Sequence, residues 1–275
     1  MGNVLDSPYI HLDRPPLSEA ALSRALIRPG SLWRRISVVE RTGSTNADLG
    51  VAVRQCAPEG TVLIAEAQFA GRGRLGRMWA APSRSGLTFS FVLRPEVAPI
   101  KFGWLSLLAG LAAASAVGRL AEVDVRLKWP NDLLIGERKL AGVLAERVDN
   151  AVIIGIGLNV SVRREELPVD RATSLIIENA ACLDRNELLQ AVLGEIERRY
   201  RDWVACQGDA DEGGLRAAYL ASCATIGQEI RVELPGERLL TGIATGVDEA
   251  GHLLVRTEDG RHVLSAGEVV HVRRR

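Results

Sequence analysis

The sequence predicts an α+β protein, with a mixed, largely antiparallel sheet packed with helices and a small C-terminal SH3-like β-barrel. Three observations predict it. Apolar runs at residues 133–135, 139–147 and 151–160 are separated only by Gly136-Glu137-Arg138 and Asp149-Asn150, turns too short for a crossover helix, so these strands form an antiparallel meander. Helical patterns flank the meander, over residues 100–120 and from Asp184 to about residue 203. From about Thr225 the texture changes to short apolar runs punctuated by Gly236, Gly242, Gly246, Gly251 and Gly260, the pattern of a small barrel. The expected organisation is a lead and short helix at 1–30, a catalytic domain at 31–224 and the barrel at 225–275.

Residues 1 to about 16, with Pro8, Pro15 and Pro16, read as a disordered lead without the apolar segment of a signal peptide. Ser18 is a candidate N-cap for a helix over 18–27. A strand over 33–40 precedes a helix capped by Ser44 or Thr45 and running to about residue 55. Strands follow at 61–67 and 87–93, the second ended by Pro95. The apolar stretch 105–117 is short and rich in small residues, which favours a buried helix over a membrane span. A strand over 122–128 closes in a turn at Trp129-Pro130-Asn131-Asp132. Alternation puts Lys139, Ala141 and Val143 on one strand face. A short helix over 213–222 precedes strands at 229–234, 239–247, 252–256, 262–264 and 268–272.

The 275-residue chain carries 34 basic and 34 acidic side chains, a balance that argues against a dedicated nucleic-acid binder. Cys56, Cys182, Cys206 and Cys223 form no C-x-x-C pair, so the spacing implies neither a zinc site nor a disulfide framework, and reduced thiols in a cytoplasm are expected.

Gly71-Arg72-Gly73-Arg74-Leu75-Gly76-Arg77 stands out. Its glycines allow close backbone approach and its arginines suit phosphates and carboxylates, so it reads as an anion clamp. It also fits G-x-G-x-x-G, but a dinucleotide site needs a helix opening from the glycines, and Pro82 and Gly86 interrupt any helix here. An RNA-binding Gly-Arg segment would interleave aromatics, yet only 4% of the chain is aromatic. Three other clusters call for polar partners: Thr42-Gly43-Ser44-Thr45-Asn46 at a helix start, Lys128-Trp129-Pro130-Asn131-Asp132, and the run from Lys139 to Glu146. Taken singly, each is also explained as a cap, a turn or an exposed hairpin.

In order and spacing, these blocks resemble the biotin protein ligases, also called biotin–[acetyl-CoA-carboxylase] ligases. Residues 68–79, QFAGRGRLGRMW, resemble the family's hallmark loop, and KWPND, KLAGVLAE and GIGLN resemble its other blocks. The likeness runs from about residue 32 to the C-terminal barrel with Ser265-Ala266-Gly267-Glu268-Val269. Phe69 departs from it, standing where a small or hydroxylated residue is more usual. The lipoate ligases share the class II synthetase-like catalytic fold; the arginine loop with Trp79 and the barrel favour biotin.

The resemblance implies an enzyme that joins biotin to ATP, giving biotinyl-5′-AMP and pyrophosphate, and then passes biotin to a lysine of a biotin carboxyl carrier protein domain of an acyl-CoA carboxylase. It implies catalytic roles for Lys139 and Arg74, biotin contacts from Ser44, Thr45, Asn46, Gln68, Arg72, Gly73, Arg74 and Lys139, and nucleotide contacts from Arg72, Arg74, Arg77, Trp79, Asn131 and Asn159. Trp79 reads equally as a stacking face or a core residue. Magnesium is expected on the ATP phosphates, with no protein ligand assigned. The loop is expected to order on anion binding, which offsets both glycine freedom and arginine repulsion. About thirty residues precede the blocks, too few for the winged helix of the family's repressors, and the net charge is zero, so no nucleic-acid partner is expected; the short apolar stretch at 105–117 gives no reason to expect a membrane partner either.

Overall fold

The computed structural model describes residues 14–234, 238–265 and 267–271. Most of the expected lead, the turn glycine Gly236, Ala266 and the last residue of the final strand, Val272, lie outside them. In chain order the elements are α1 (Glu19–Leu26), β1 (Arg35–Thr42), α2 (Thr45–Arg54), β2 (Thr61–Gln68), β3 (Gly86–Leu93), α3 (Gly103–Ala121), β4 (Val125–Lys128), β5 (Asp132–Ile135), β6 (Arg138–Val148), β7 (Ala151–Asn159), α4 (Arg185–Ala205), α5 (Leu215–Ser222), β8 (Glu229–Leu234), β9 (Arg238–Val247), β10 (Leu253–Thr257), β11 (Gly260–Leu264) and β12 (Glu268–His271).

The first seven strands form one sheet in the order β1-β2-β3-β7-β6-β5-β4. Only β1 and β2 run parallel, because α2 carries the chain back between them. The other neighbours are antiparallel, as the short turns require. α3 is apolar on nearly every face and is buried between the sheet and α4. At Gly110 it packs on β4 to β6, where a Cβ would stand in ordinary contact, 3.4 Å from Leu127 Cδ2 and 3.9 Å from both Leu133 Cδ1 and Val143 Cγ2. Pro99 and Gly103 divide the expected helical stretch into a 3-10 turn, Pro99–Phe102, and α3. Glu122, expected in a strand, instead ends α3 in the left-handed region at φ 55°, and β4 starts at Val125.

Alternation misplaces Lys139. The β5–β6 register slips between Leu133 and Leu134, so Leu133 faces Ala141 while Leu134 faces Lys139. This bulge turns Lys139 onto the face of Gly142, while Ala141 and Val143 point into the core.

The N-terminal segment is anchored sooner than its prolines suggest. Arg14 is 4% exposed and reaches both carboxylate oxygens of Glu166, at 3.2 and 2.6 Å, and the Ser161 carbonyl at 2.8 Å. Leu22 and Leu26 of α1 enter the main core. A buried ion pair ties this layer down: Arg185 Nη1 lies 2.6 Å from Glu66 Oε2. The other carboxylate oxygen accepts the Leu17 N–H at 2.6 Å, and Arg185 also donates to the carbonyls of Gly86 and Pro15.

The last five strands form an antiparallel sheet in the order β11-β10-β9-β8-β12. Two buried tryptophans seat it on the larger unit. Trp104 donates its indole N–H to the Glu249 carbonyl at 3.0 Å and Trp129 to the Gly251 carbonyl at 3.2 Å. Gly103 permits this approach, since a Cβ there would meet the Ala250 oxygen at 2.2 Å.

Removing one partner of a buried ion pair leaves an uncompensated charge. Glu66→Ala is expected to cost about 3–5 kcal/mol of stability in denaturant unfolding, whereas loss of an exposed partner, as in Asp202→Ala, is expected to cost under about 1 kcal/mol.

Candidate active site

The floor of the site is a patch of strand without side chains. Gly142 of β6 and Gly157 of β7 are paired across the sheet, and Gly155 lies two residues along. A Cβ on Gly157 would stand 2.2 Å from Trp79 Cε2, one on Gly155 2.2 Å from Asn46 Oδ1, and one on Gly142 3.3 Å from Lys139 Nζ. Gly157 and Gly155 therefore make room for side chains from distant segments, and Gly142 lies beneath Lys139 of its own strand. The resulting pocket is lined by Ser44, Thr45, Asn46, Gln68, Arg72, Gly73, Arg74, Arg77, Trp79, Asn131 and Lys139, among others.

One end is neutral and polar. Ser44 caps α2, accepting the Ala47 N–H. Gln68 Oε1 accepts the backbone N–H of Thr45 at 2.7 Å. The Thr45 hydroxyl lies 3.0 Å from Gln68 Oε1 and 2.6 Å from Ser90 Oγ. Ser90 Oγ is 2.6 Å from Asn46 Oδ1, and Asn46 Nδ2 donates to Glu146 Oε2 at 2.7 Å.

The Gly-Arg loop covers this end as a small hairpin. Arg72 bridges to Met78, the Gly73 N–H donates to the Arg77 carbonyl at 2.6 Å, and the Trp79 N–H donates to the Gly71 carbonyl at 2.9 Å. Leu75 and Gly76, at φ 55° and 74°, turn the tip. No helix of dinucleotide-binding type opens from the glycines; there is only a three-residue 3-10 turn, Arg74–Gly76. Gly71 is required at its position, where a Cβ would meet the Trp79 oxygen at 2.4 Å and Gln68 Nε2 at 2.6 Å. Arg72 extends to Glu146 Oε1, 3.6 Å away. Phe69 does not pack beneath the loop: it is largely exposed and lies beside Gly43.

The other end is cationic. Lys139 Nζ lies 2.6 Å from Asp132 Oδ1. Burial lowers the pKa of Lys128, as do the charges of Arg171, Lys139 and Arg77, and Asp132 acts against them. Burial also lowers Arg74, again opposed by Asp132. Lys128 thus loses its charge at a lower pH than an ordinary lysine, although it stands beside a carboxylate. Asn131 donates its amide to the Val143 carbonyl at 2.9 Å, which braces the turn against β6. Gly267 and Val269 of the smaller sheet complete the wall.

Of the residues expected in the site, Asn159 is the one the structure does not bring to the pocket. It is buried at the end of β7, and its amide donates to the Thr173 carbonyl at 2.9 Å. The segment at Arg171–Thr173, which also bonds both backbone groups of Lys139, lies over it. Trp79 is half-buried over Gly157 and faces the pocket, and its indole N–H has no acceptor among the described residues. The three floor glycines were missed, although glycine inside a strand signals close approach of another group. Ser90 had no sequence signal, and Glu146 stood out only as the end of the run from Lys139, because only sheet register brings them beside α2.

Two family models match the chain, the biotin/lipoate A/B protein ligase family over residues 38–161 and the biotin protein ligase C terminal domain over residues 225–272. The chain is 45% identical to the biotin–[acetyl-CoA-carboxylase] ligase of Mycobacterium tuberculosis over 265 residues, which cover 94% of this chain and 97% of that protein. It is 34% identical to the bifunctional ligase/repressor BirA of Escherichia coli over 73% of this chain and 63% of that one. Among solved structures it is similar to a biotin protein ligase from Aquifex aeolicus in complex with biotin and ATP, with a TM-score of 0.73, 32% identity, and coverage of 88% of this chain and 100% of that one.

The surroundings of a floor glycine and of a helical one predict opposite signs for two Gly→Ala substitutions. Gly157→Ala is expected to displace Trp79, cost about 1–3 kcal/mol in thermal unfolding, and raise acrylamide quenching of tryptophan emission, since Trp33, Trp104, Trp129 and Trp203 are fully buried. Gly194→Ala, in the middle of α4 with nothing within 4 Å, is expected to gain up to about 1 kcal/mol and leave quenching unchanged.

Proposed function

Because the chain belongs to the biotin/lipoate A/B protein ligase family, we propose that it is an ATP-dependent biotin protein ligase acting on an acetyl-CoA carboxylase. Biotin is first joined to ATP, giving biotinyl-5′-AMP and pyrophosphate, and then passes to a lysine of the carboxylase's biotin carboxyl carrier domain. The observation that carries this reading is the meeting of Lys139 and Arg74 around Asp132 at one end of a pocket whose far end is neutral and polar. Biotin has that same division, a neutral ureido ring at one end and a carboxylate at the other.

In the first step a carboxylate oxygen forms a bond to the α-phosphorus as the bond to pyrophosphate breaks. Attacker and target are both anions, so their repulsion must be offset by fixed cations in a partly dehydrated site. Lys139 takes the catalytic role at the reacting carboxylate and phosphate, held in place by Asp132 2.6 Å away. Arg72, Gly73 and Arg74 hold the carboxylate and the adenylate phosphate, while Arg77 and Lys128 face the leaving pyrophosphate. Ser44, Thr45, Asn46 and Gln68 serve the ureido ring. Trp79 offers its free face to adenine, and Asn131 supports the nucleotide side through β6. Asn159 is assigned structural bracing.

Magnesium fits this reading as a companion of ATP. Among the described residues no three His, Cys, Asp or Glu side chains cluster as a metal site, and Asp132 is engaged with Lys139. Phosphate oxygens would supply its ligands, and the ion would neutralise phosphate charge. In the second step the carrier lysine's amine attacks the acyl carbon of the mixed anhydride, an amide forms and AMP leaves. Closure of the Gly-Arg loop over the adenylate excludes water between the steps.

Two measurements test this. Biotin and Mg2+ are expected to drive exchange of labelled pyrophosphate into ATP, and Lys139→Ala to reduce the rate by about 10²-fold or more. Exchange supported by lipoate and not by biotin would assign the chain to the lipoate branch of the family. Trypsin cleavage between Arg72 and Arg77 is expected to slow several-fold when biotin and ATP are added together; equal rates with and without ligands would overturn loop closure.

A further inference from the structure

Glu146 stands outside the pocket wall, yet two site residues from different elements converge on it. Its Oε2 accepts from Asn46 of α2 at 2.7 Å, and its Oε1 lies 3.6 Å from Arg72 of the Gly-Arg loop. From Asn46 a line of contacts runs back to the pocket through Ser90, Thr45 and Gln68. The directions of its hydrogens follow from counting.

An ionised carboxylate can only accept, so Asn46 must turn its NH2 toward Glu146. The Leu144 carbonyl, 3.4 Å from the same nitrogen, favours the same orientation. Asn46 Oδ1 then faces Ser90 and can only accept, so the single Ser90 hydroxyl hydrogen goes to it across 2.6 Å. The contact between the Ser90 and Thr45 hydroxyls, also 2.6 Å, must take its hydrogen from Thr45. Nothing remains for the gap between Thr45 Oγ1 and Gln68 Oε1, 3.0 Å apart. Two acceptors therefore stand side by side on the pocket wall with no hydrogen between them. Gly155 makes room for the relay, since a Cβ there would meet Asn46 Oδ1 at 2.2 Å and Ser90 Oγ at 3.2 Å.

We propose that Glu146 is a positioning residue for the reaction, orienting the hydrogens of Asn46, Ser90 and Thr45 so that Thr45 Oγ1 and Gln68 Oε1 together present acceptors to a ligand N–H. The ligand group selected is the N–H of a cyclic urea, which rests on the biotin reading above. A neutral amide in place of the carboxylate can donate as well as accept. It lets Asn46 turn over, reverses the relay and returns the Thr45 hydrogen to Gln68. Through Arg72 the same carboxylate ties the loop to the sheet that holds the relay.

The test is pyrophosphate–ATP exchange with biotin and with a ureido-N-methylated biotin, for wild type, Glu146→Gln, Glu146→Asp and Ser90→Ala, with thermal unfolding of each. Glu146→Gln is expected to raise the KM for biotin on the order of tenfold, the effect of one lost hydrogen bond between neutral groups. The KM for ATP and kcat should stay within about twofold, and the preference for biotin over its methylated analogue should narrow. Glu146→Asp is expected to keep that preference, and Ser90→Ala to lose it whether or not Glu146 is changed. An unchanged biotin KM and preference in Glu146→Gln, beside an active wild type, would overturn the proposal alone. So would equal rises in both KM values with a lowered Tm, which mark a purely structural role. Absence of biotin-dependent exchange in wild type would remove the biotin reading and this proposal with it.

Discussion

The constraint on which the site depends is the absence of Cβ atoms at three positions on one face of β6 and β7. Gly142, Gly155 and Gly157 let Lys139, Asn46 and Trp79 lie directly on the sheet backbone. With side chains there, the pocket would be filled by its own floor. Glycine weakens a strand interior, and the sheet offsets that by flanking the patch with Ile153, Ile154, Ile156 and Leu158, all buried. A locally weak strand is thus held by its neighbours, and the space gained is kept for a ligand.

A second dependence joins the two sheets. Trp129 belongs to the turn that also carries Lys128, Asn131 and Asp132, and its indole is bonded to the Gly251 carbonyl of the smaller sheet. Its backbone N–H donates to Thr225 Oγ1 at 3.1 Å, and Thr225 meets His271 Nε2 at 3.2 Å. The turn that orients the cationic end therefore has its shape fixed by the C-terminal sheet, which also supplies Gly267 and Val269 to the wall. Separation of the sheets would disturb the site without altering any residue in it.

Electrostatically, the site concentrates cations and holds them with two carboxylates. Lys128, Lys139, Arg74 and Arg77 stand close enough to perturb one another or to share Asp132, while Glu146 takes Arg72. Burial makes this arrangement costly for the free protein, as the lowered Lys128 and Arg74 show. A bound anion would relieve that cost, since the charges that burial disfavours are the ones an anion favours.

Much of this was legible in the sequence. The Gly-Arg run, the capped start at Ser44, the KWPND turn and the hairpin around Gly136 each depend on local backbone chemistry, and local chemistry is written in adjacent residues. The sequence by itself determined the element order, the antiparallel meander and the clusters that call for polar partners. Tertiary structure decided the rest. The β5–β6 bulge turned Lys139 to the pocket against its alternation, Arg14 and Arg185 tied down a segment that reads as a lead, and the returning segment at Arg171–Thr173 covered Asn159. Ser90 and Glu146 joined the site only because register set β3 and β6 beside α2. The physical reason is common to all of these: a side chain's neighbours across a sheet or an ion pair are fixed by packing between distant segments, and no property of either segment alone encodes the distance between them.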